Sequence, residues 1–533
     1  MLFRSLPTAK APPGPPSAPP AAQALDRRRL IAFMSMVFGM FMAILDIQIV
    51  SASLAEIQAG LSASADEVAW VQTSYLIAEV VMIPLSGFLS RMLSTRWLFT
   101  ISAAGFTLMS FACAMSSSIE EMIVWRALQG FIGGGMIPTV FASAYTVFPR
   151  EKQPMIAPII GLVATLAPTI GPTVGGYLTD LFSWHWLFLV NLVPGIAVTI
   201  ATWTLVDFDE PHLALFDAFD WAGLGGMAVF LGSLEYFLEE GPAKGWLDDD
   251  RIVVAGVLAI VGAGVFFWRA FTARQPIVDL GAFRDRNFWT GSLFSFVMGI
   301  GLYGLTYLYP VFLARVRGYS ALMIGETMFV TGICMFVAAP IVGRLMTKVD
   351  PRIMIGIGFA GFALGTLQAS FVTKDWDFWE LMVPQMLRGF SLMTCMVPIN
   401  NLALGTLSPD RIKNASGLFN LTRNLGGAVG LALINTLMND RMDLHLSRLH
   451  ESVAWGHQKA EEMLANLTAA MAPLGSDADL AAVSKLAGIV RREAQVWAIG
   501  DVFLALTVLF MGLVVLTPLM RRPQMGVGGG GGH

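Results

Sequence analysis

The sequence predicts an all-α membrane protein that crosses the bilayer fourteen times, and three observations predict it. Of 533 residues, 55% are hydrophobic and only 14% charged, against about 25% charged in an ordinary soluble domain. The chain divides into apolar runs long enough for a helix to cross a hydrocarbon layer roughly 30 Å thick. Lys and Arg gather in alternate loops, the bias that fixes orientation. A single anchor on a soluble enzyme is excluded. The formal charge of -4 offers no basic surface for nucleic acid, since phosphate binding needs clustered cations.

Residues 1–29 form a Pro- and Ala-rich tail (APPGPPSAPPAA) closed by Arg27, Arg28 and Arg29. The run that follows is too long for a cleavable signal, so the tail is expected to be disordered. Apolar runs then fall at 30–53, 68–90, 97–115, 119–143, 155–178, 186–206, 219–238, 251–271, 288–313, 322–345, 353–372, 378–405, 414–437 and 498–519. An even number of crossings puts both ends on one side. Loops on that side hold Arg91 and Arg96, Arg150 and Lys152, Arg269 and Arg274, Arg284 and Arg286, Arg344, Lys348 and Arg352, Arg411 and Lys413, then Arg521 and Arg522. The opposite short loops hold chiefly Lys244, Arg315, Arg317 and Lys374. Both termini are therefore expected in the cytoplasm. Loop 207–220 (DFDEPHLALFDAFD) is the exception, acidic with no Lys or Arg.

The segment 439–497 is too patterned for a simple connection. Met442, Leu446, Leu449 and Val453, then Met463, Leu467 and Met471, recur at helical spacing. After Pro473 and Gly475, a second stripe runs through Leu480, Val483, Ala487, Val490, Ala494 and Trp497. A periplasmic hairpin of two amphipathic helices is expected, the second started by a capping box of Ser476 and Asp479. His445, His450 and His457 read as part of its solvated face. Residues 523–533 form a flexible Gly-rich tail.

An internal repeat organises the runs. After the second run the chain reads GFLSRMLSTR from Gly87, and 256 residues later it reads GRLMTKVDPR from Gly343. The fourth run contains RALQGFIGGGMIP and the twelfth RGFSLMTCMVP, making Arg126 and Arg388 approximate counterparts. Two six-helix halves, 30–206 and 287–522, separated by a two-helix insertion at 207–286, produce that offset, an arrangement of parallel repeats known in transporters.

Four signatures then carry a resemblance: AILDIQIV in the first run, the loop from Gly87 to Arg96, RALQG at Arg126 to Gly130, and APTIGPTVGG at Ala167 to Gly176. With FSWHWLFLVNLVPG, QPIVDLGAFRDRNF and ASGLFNLTRNLGGAVG, they make the chain similar to the major facilitator superfamily, specifically its 14-helix drug:proton antiporters of the EmrB type, from about Leu30 to Arg522. Two departures stand out. Ser90 occupies the place of the usual acidic residue in the loop after the second run, while Asp350 stands in the matching second loop. Ile47 and Gln48 replace small polar residues in the first-run motif.

The resemblance implies a proton-driven antiporter of the bacterial inner membrane that exports hydrophobic or amphiphilic drugs. Its partners would be a periplasmic adaptor and, through it, an outer-membrane channel. A facilitator or symporter for a polar metabolite, and a non-transporting scaffold, are the alternatives. The sequence holds no GxxxxGK[ST] and no HExxH, and Cys113, Cys334 and Cys395 lie in apolar runs without CxxC spacing. No enzyme, cofactor or metal is expected.

Ionisable groups inside spans cost at least ~2.5–3.5 kcal/mol to insert, so each should face protein or a water-filled cavity. At 1.5 Å per residue, Asp46 lies about 24 Å from the inner end of its run and Arg126 about 25 Å from that of its own. In the resembled fold these helices share a cavity, so protonation of Asp46 would loosen its hold on Arg126 and couple transport to protons; a static pair is the alternative. Glu79 and Arg423, mid-span and at comparable depth, would meet across the two halves as a switch or a strut. Glu235 and Glu326 are expected to be interfacial or helix-terminal. In the antiporter motif, Gly171, Pro172, Gly175 and Gly176 shape and seal a helix interface. Gly87, Arg91, Arg96, Gly343, Arg344, Asp350 and Arg352 form the gating loops. The substrate cavity is expected among adaptable Met and aromatic side chains, with Gln129, Tyr303, Tyr307, Gln385, Arg388 and Asn400 as its polar groups.

Overall fold

The computed structural model describes residues 27–149, 152–453 and 457–520; the predicted tails at 1–26 and 523–533, together with Arg150, Arg521 and Arg522, lie outside the described residues. Every one of the fourteen predicted runs lies on helix. The chain begins with α1 (Arg27–Ala52), the short α2 (Leu54–Gly60), α3 (Ala65–Leu93), α4 (Thr95–Ala114), α5 (Ile119–Gly133) and α6 (Met136–Val147). It continues through α7 (Gln153–Leu181), the single turn α8 (Trp186–Leu189) and α9 (Leu192–Leu205) to the pair α10 (Trp221–Glu240) and α11 (Asp250–Thr272). Then come α12 (Arg286–Arg315), α13 (Ala321–Leu345), α14 (Pro351–Ala369), α15 (Phe378–Leu404), α16 (Pro409–Ser452), α17 (Gln458–Ala470) and α18 (Ala478–Leu516). No strand occurs among the described residues.

Helix starts are written locally. Ser64 with Glu67, and Asp377 with Glu380, form reciprocal capping boxes at α3 and α15, each satisfying two backbone donors that the first turn leaves free. Side chains of Ser118, Asp220, Asp249, Asp285 and Ser320 cap α5, α10, α11, α12 and α13. The predicted tail ends three residues early, because Arg27, Arg28 and Arg29 form the first turn of α1. The fourth run is broken at Gly134 and Gly135 between α5 and α6.

Twelve helices, among the described residues, are long and apolar enough to cross a membrane. The helices on the twelfth and thirteenth runs, α15 and α16, fall short by that measure. They carry Gln385, Arg388 and Asn400, and Asn420, Arg423 and Asn424, and both are packed between other helices: α15 against α12, α13 and α14, and α16 against α3, α6, α12 and α18. Burial in protein is what lets them hold polar groups at membrane depth. The first nine helices meet the later ones along α7 with α13 and α15, and along α16 with α3 and α6. The pair α10 and α11 pack on each other, and α10 lies against both α3 and α16.

The predicted hairpin takes another form. Its first stripe is split: Met442, Leu446 and Leu449 lie on α16, which runs unbroken for 44 residues, about 66 Å at 1.5 Å per residue and well beyond the hydrocarbon thickness, while Met463 and Leu467 lie on α17. Its second stripe is likewise the first half of α18, which continues into the last run, and α17 alone lies between, packed on α18. Helix α18 is preceded by Asp477 rather than Ser476. His445 does not face solvent. It is 8% exposed, and its Nε2 lies 2.8 Å from Oδ2 of Asp501, tying α16 to α18.

Candidate functional site

At the centre of the first helices, Asp46 and Arg126 are both 0% exposed and form an ion pair, Arg126 Nη1 donating to Asp46 Oδ2 at 2.7 Å. The same nitrogen donates to Gln129 Oε1 at 2.8 Å, and Arg126 Nε to the Val71 carbonyl at 3.2 Å. The guanidinium lies over the Tyr75 ring, 4.2 Å from its centre. The other carboxylate oxygen, Asp46 Oδ1, accepts from Asn191 Nδ2 at 2.7 Å and from Gln129 Nε2 at 3.4 Å. Asn191 also donates to Ser110 Oγ at 3.1 Å, and Ser110 to the Phe188 carbonyl at 2.9 Å. One carboxylate on α1 is thus held by α5 and by the residue that opens α9. Gln129, expected in the substrate cavity, belongs instead to this cluster. Asn191 was not singled out by sequence reasoning, although a lone amide inside the apolar FSWHWLFLVNLVPG was a readable signal.

The antiporter motif explains how α1 and α7 come close. A Cβ on Gly171 would lie 2.4 Å from the Cβ of Gln48, and one on Gly175 2.9 Å from the Ile49 carbonyl oxygen. Neither position admits a side chain without moving a helix. Gly176 is buried on the same helix, and Pro172 lines a cavity.

That cavity, 420 Å³, lies between the two sets of helices and is lined from α1, α3, α7, α10, α12, α13 and α16. Its lining reaches Ser51, Glu239 and Arg315, residues at the helix ends remote from the termini. Of the polar groups expected around a substrate cavity, Tyr303 and Tyr307 are on its wall; Gln385, Arg388 and Asn400 are not. Arg388 is buried behind it, donating to Thr306 Oγ1, which does line it, and Gln385 pairs with Thr331. Glu79 lines the cavity and makes no ion pair with Arg423 among the described residues; Arg423 donates to Asn420 and lies over the Phe141 ring, 5.0 Å from its centre. Equal depth did not bring them together because the helices present other faces to each other. Glu235, expected at an interface or helix terminus, is 6% exposed and also on the cavity wall.

The opposite end is closed. A Cβ on Gly87 would lie 2.9 Å from both the Asn414 Cα and the Lys413 carbonyl oxygen, and Ser416 Oγ donates to the Pro138 carbonyl at 2.7 Å. Lys413 Nζ donates to the Ser90 carbonyl at 3.2 Å and forms an ion pair with Asp209, whose carboxylate also accepts from the Thr95 backbone at 2.9 Å. Arg96 pairs with Asp207 at 2.8 Å, and Asp350 with Arg352 at 2.9 Å. Gly343 is half-buried and Arg344 exposed on the same side.

With this geometry in view, the family model described as Major Facilitator Superfamily matches residues 36–431. The chain belongs to the Major Facilitator Superfamily. This major facilitator chain is 42% identical, over 92% of its length and 96% of the relative's, to the colistin resistance protein EmrB of Acinetobacter baumannii. It is 29% identical to the multidrug export protein EmrB of Escherichia coli K12 over 94% of this chain and 97% of that one. Its fold is that of solved transporters at low identity. The human organic anion transporter MFSD10 matches with a TM-score of 0.57 and 13% identity, covering 92% of this chain and all (100%) of that chain. It is therefore a multi-pass membrane protein of a transporter family and not an enzyme.

Proposed function

We propose that this major facilitator chain is a proton-driven antiporter that exports hydrophobic or amphiphilic compounds across the bacterial inner membrane. Both termini are cytoplasmic, the fourteen helices divide into two six-helix halves with α10 and α11 inserted between them, and a periplasmic adaptor with an outer-membrane channel completes the path. Relatives with multidrug export and colistin resistance in their names support the export reading. The observation that carries it is on α1. This helix holds Asp46 in the sealed cluster and, one and two residues on, Ile47 and Gln48 on the cavity wall. Protonating Asp46 removes the charge that holds Arg126 and Asn191, and so changes the packing of the helix that shapes the cavity. Glycine contacts between α1 and α7 keep that change local and the interface tight.

In this reading the cavity faces the periplasm, and the cytoplasmic end is closed by Gly87 against α16 and by Asp209 with Lys413. Rocking between the halves would open the other side. The test is reconstitution: purified protein in proteoliposomes with an imposed pH gradient, a fluorescent amphiphile and an internal pH dye. Opposed movement of substrate and protons is expected. Movement in the same direction would replace export by uptake, and no gradient-dependent movement would remove transport altogether.

A further inference from the structure

Helix α10, the first of the inserted pair, borders the cavity. It packs on α3, where Trp70 stacks on Tyr236 at 5.3 Å, and on α16. From it Glu235 and, one turn later, Glu239 reach the cavity wall, and α3 supplies Glu79 to the same space. Glu235 is 6% exposed and Glu79 3%. None of the three carboxyl groups makes a hydrogen bond or an ion pair among the described residues. The cationic side chain on the wall is Arg315, exposed at the outer end of α12. A buried acid without a partner is costly in a membrane protein and marks a site whose partner arrives from outside.

The rest of the lining says what that partner looks like. The Tyr303 hydroxyl donates to Asn424 at 3.4 Å and the Tyr307 hydroxyl to Asn435 at 2.7 Å, which satisfies their polar ends and leaves ring surface for a ligand. Ile47, Leu76, Val80, Val311 and Ile324 supply apolar area. Asp46 is not available for this task, since its carboxylate is already taken by Arg126, Asn191 and Gln129.

We propose that the cavity recognises lipophilic organic cations and that the inserted helix supplies the recognition through Glu235 and Glu239, with Glu79 opposite. A cation meets three acids and two aromatic rings, while its apolar body covers the aliphatic lining. An anion of the same shape meets the same three acids, with Arg315 as its one cationic counterpart, exposed at the outer end of the wall. The inference rests on the export reading for its biological use, but binding itself needs no gradient.

Tetraphenylphosphonium and tetraphenylborate, near-isosteric ions of opposite charge, separate charge from hydrophobicity. Equilibrium binding to purified protein in nanodiscs should favour the phosphonium by about tenfold or more, after subtraction of binding to empty nanodiscs. Glu235→Gln with Glu239→Gln should cut phosphonium affinity by about tenfold and leave borate affinity unchanged or improved. Glu326→Gln, an exposed acid on α13 outside the cavity, should change neither. Glu235→Asp should restore most of the phosphonium binding of Glu235→Gln. Equal binding of the two ions to the unmodified protein overturns the proposal without any variant, and so does phosphonium affinity within about twofold of the parent in a folded double variant. Preferential phosphonium binding in a protein whose proteoliposomes move no protons would overturn the export reading and leave this site standing.

Discussion

Replacing Asp46 with Asn keeps the shape of the side chain and removes both its charge and its capacity to carry a proton. The consequence can be worked from the contacts. The substituted amide can offer its single oxygen to Arg126, but its nitrogen then points two donor hydrogens at Asn191 Nδ2, which stands 2.7 Å from the present oxygen, and at Gln129 Nε2 at 3.4 Å. Donor faces donor unless Asn191 turns over, and Asn191 is also held by Ser110. Arg126 meanwhile remains buried with no anion. Breaking a buried ion pair by removing one partner costs about 3–5 kcal/mol, and the hydrogen bonds Arg126 keeps to Val71 and Gln129 offset part of it, so a loss of about 3 kcal/mol is expected. Asp46→Asn with Arg126→Gln should regain most of that stability, because no unpaired charge is left, yet neither variant should couple transport to protons. Thermal unfolding and pH-gradient-driven efflux, measured on equal amounts of reconstituted protein, give the two readouts. Wild-type coupling in Asp46→Asn would remove Asp46 from the mechanism, and an undiminished melting temperature would show that the pair contributes no net stability.

The closed end on the side of the termini should loosen when Asp209→Asn weakens the contact to Lys413, seen as faster maleimide labelling of a cysteine placed at the buried Ser416; unchanged labelling would show that the ion pair does not hold this end. Gly171→Ala puts a methyl group 2.4 Å from the Gln48 Cβ, so α1 and α7 must separate at a cost of about 1–3 kcal/mol; proteoliposomes without substrate should leak protons, and a tight membrane would refute sealing by this motif. On α17 and the start of α18, Met463, Leu480 and Val483 are exposed apolar side chains. Replacing residues 454–477 with a short Gly/Ser linker, together with Leu480→Ser and Val483→Ser, should preserve transport in proteoliposomes but abolish resistance in cells and recovery of a periplasmic adaptor, and unchanged recovery would place the docking surface elsewhere.

The positions of the helices were legible because the bilayer imposes one length and one polarity on every crossing. That the polar residues of the spans would be buried in protein was legible for the same reason, since a charge at membrane depth persists only where protein receives it. Partner choice was less so. Depth along the membrane normal is one coordinate of three: it matched Asp46 to Arg126, where the helices also turn these faces inward, and it matched Glu79 to Arg423, where they do not. Arg423 is turned toward Asn420 and Phe141, and Glu79 toward the cavity. The missing coordinates are helix rotation and lateral neighbour, and these depend on packing among many apolar side chains. The same gap hid Glu235, whose position along α10 suggested an interfacial or helix-terminal role, and left Glu239 unremarked; only the contact of α10 with α3 and α16 shows that they border a cavity.

Two irregularities in the sequence explain each other in the structure. The loop after the second run carries Ser90 where its resemblance leads one to expect an acid, and the loop at 207–220 is acidic where orientation leads one to expect cations. Asp209 comes from that acidic loop. It accepts from the Thr95 backbone and pairs with Lys413, while Lys413 also donates to the Ser90 carbonyl. A carboxylate therefore stands beside residue 90 without being residue 90, supplied by a segment more than a hundred positions away. Reading each loop by its own motif makes one defective and the other anomalous. The charge is supplied in space rather than in sequence: the Lys413 ammonium meets a carboxylate at this end, and that carboxylate comes from the 207–220 loop.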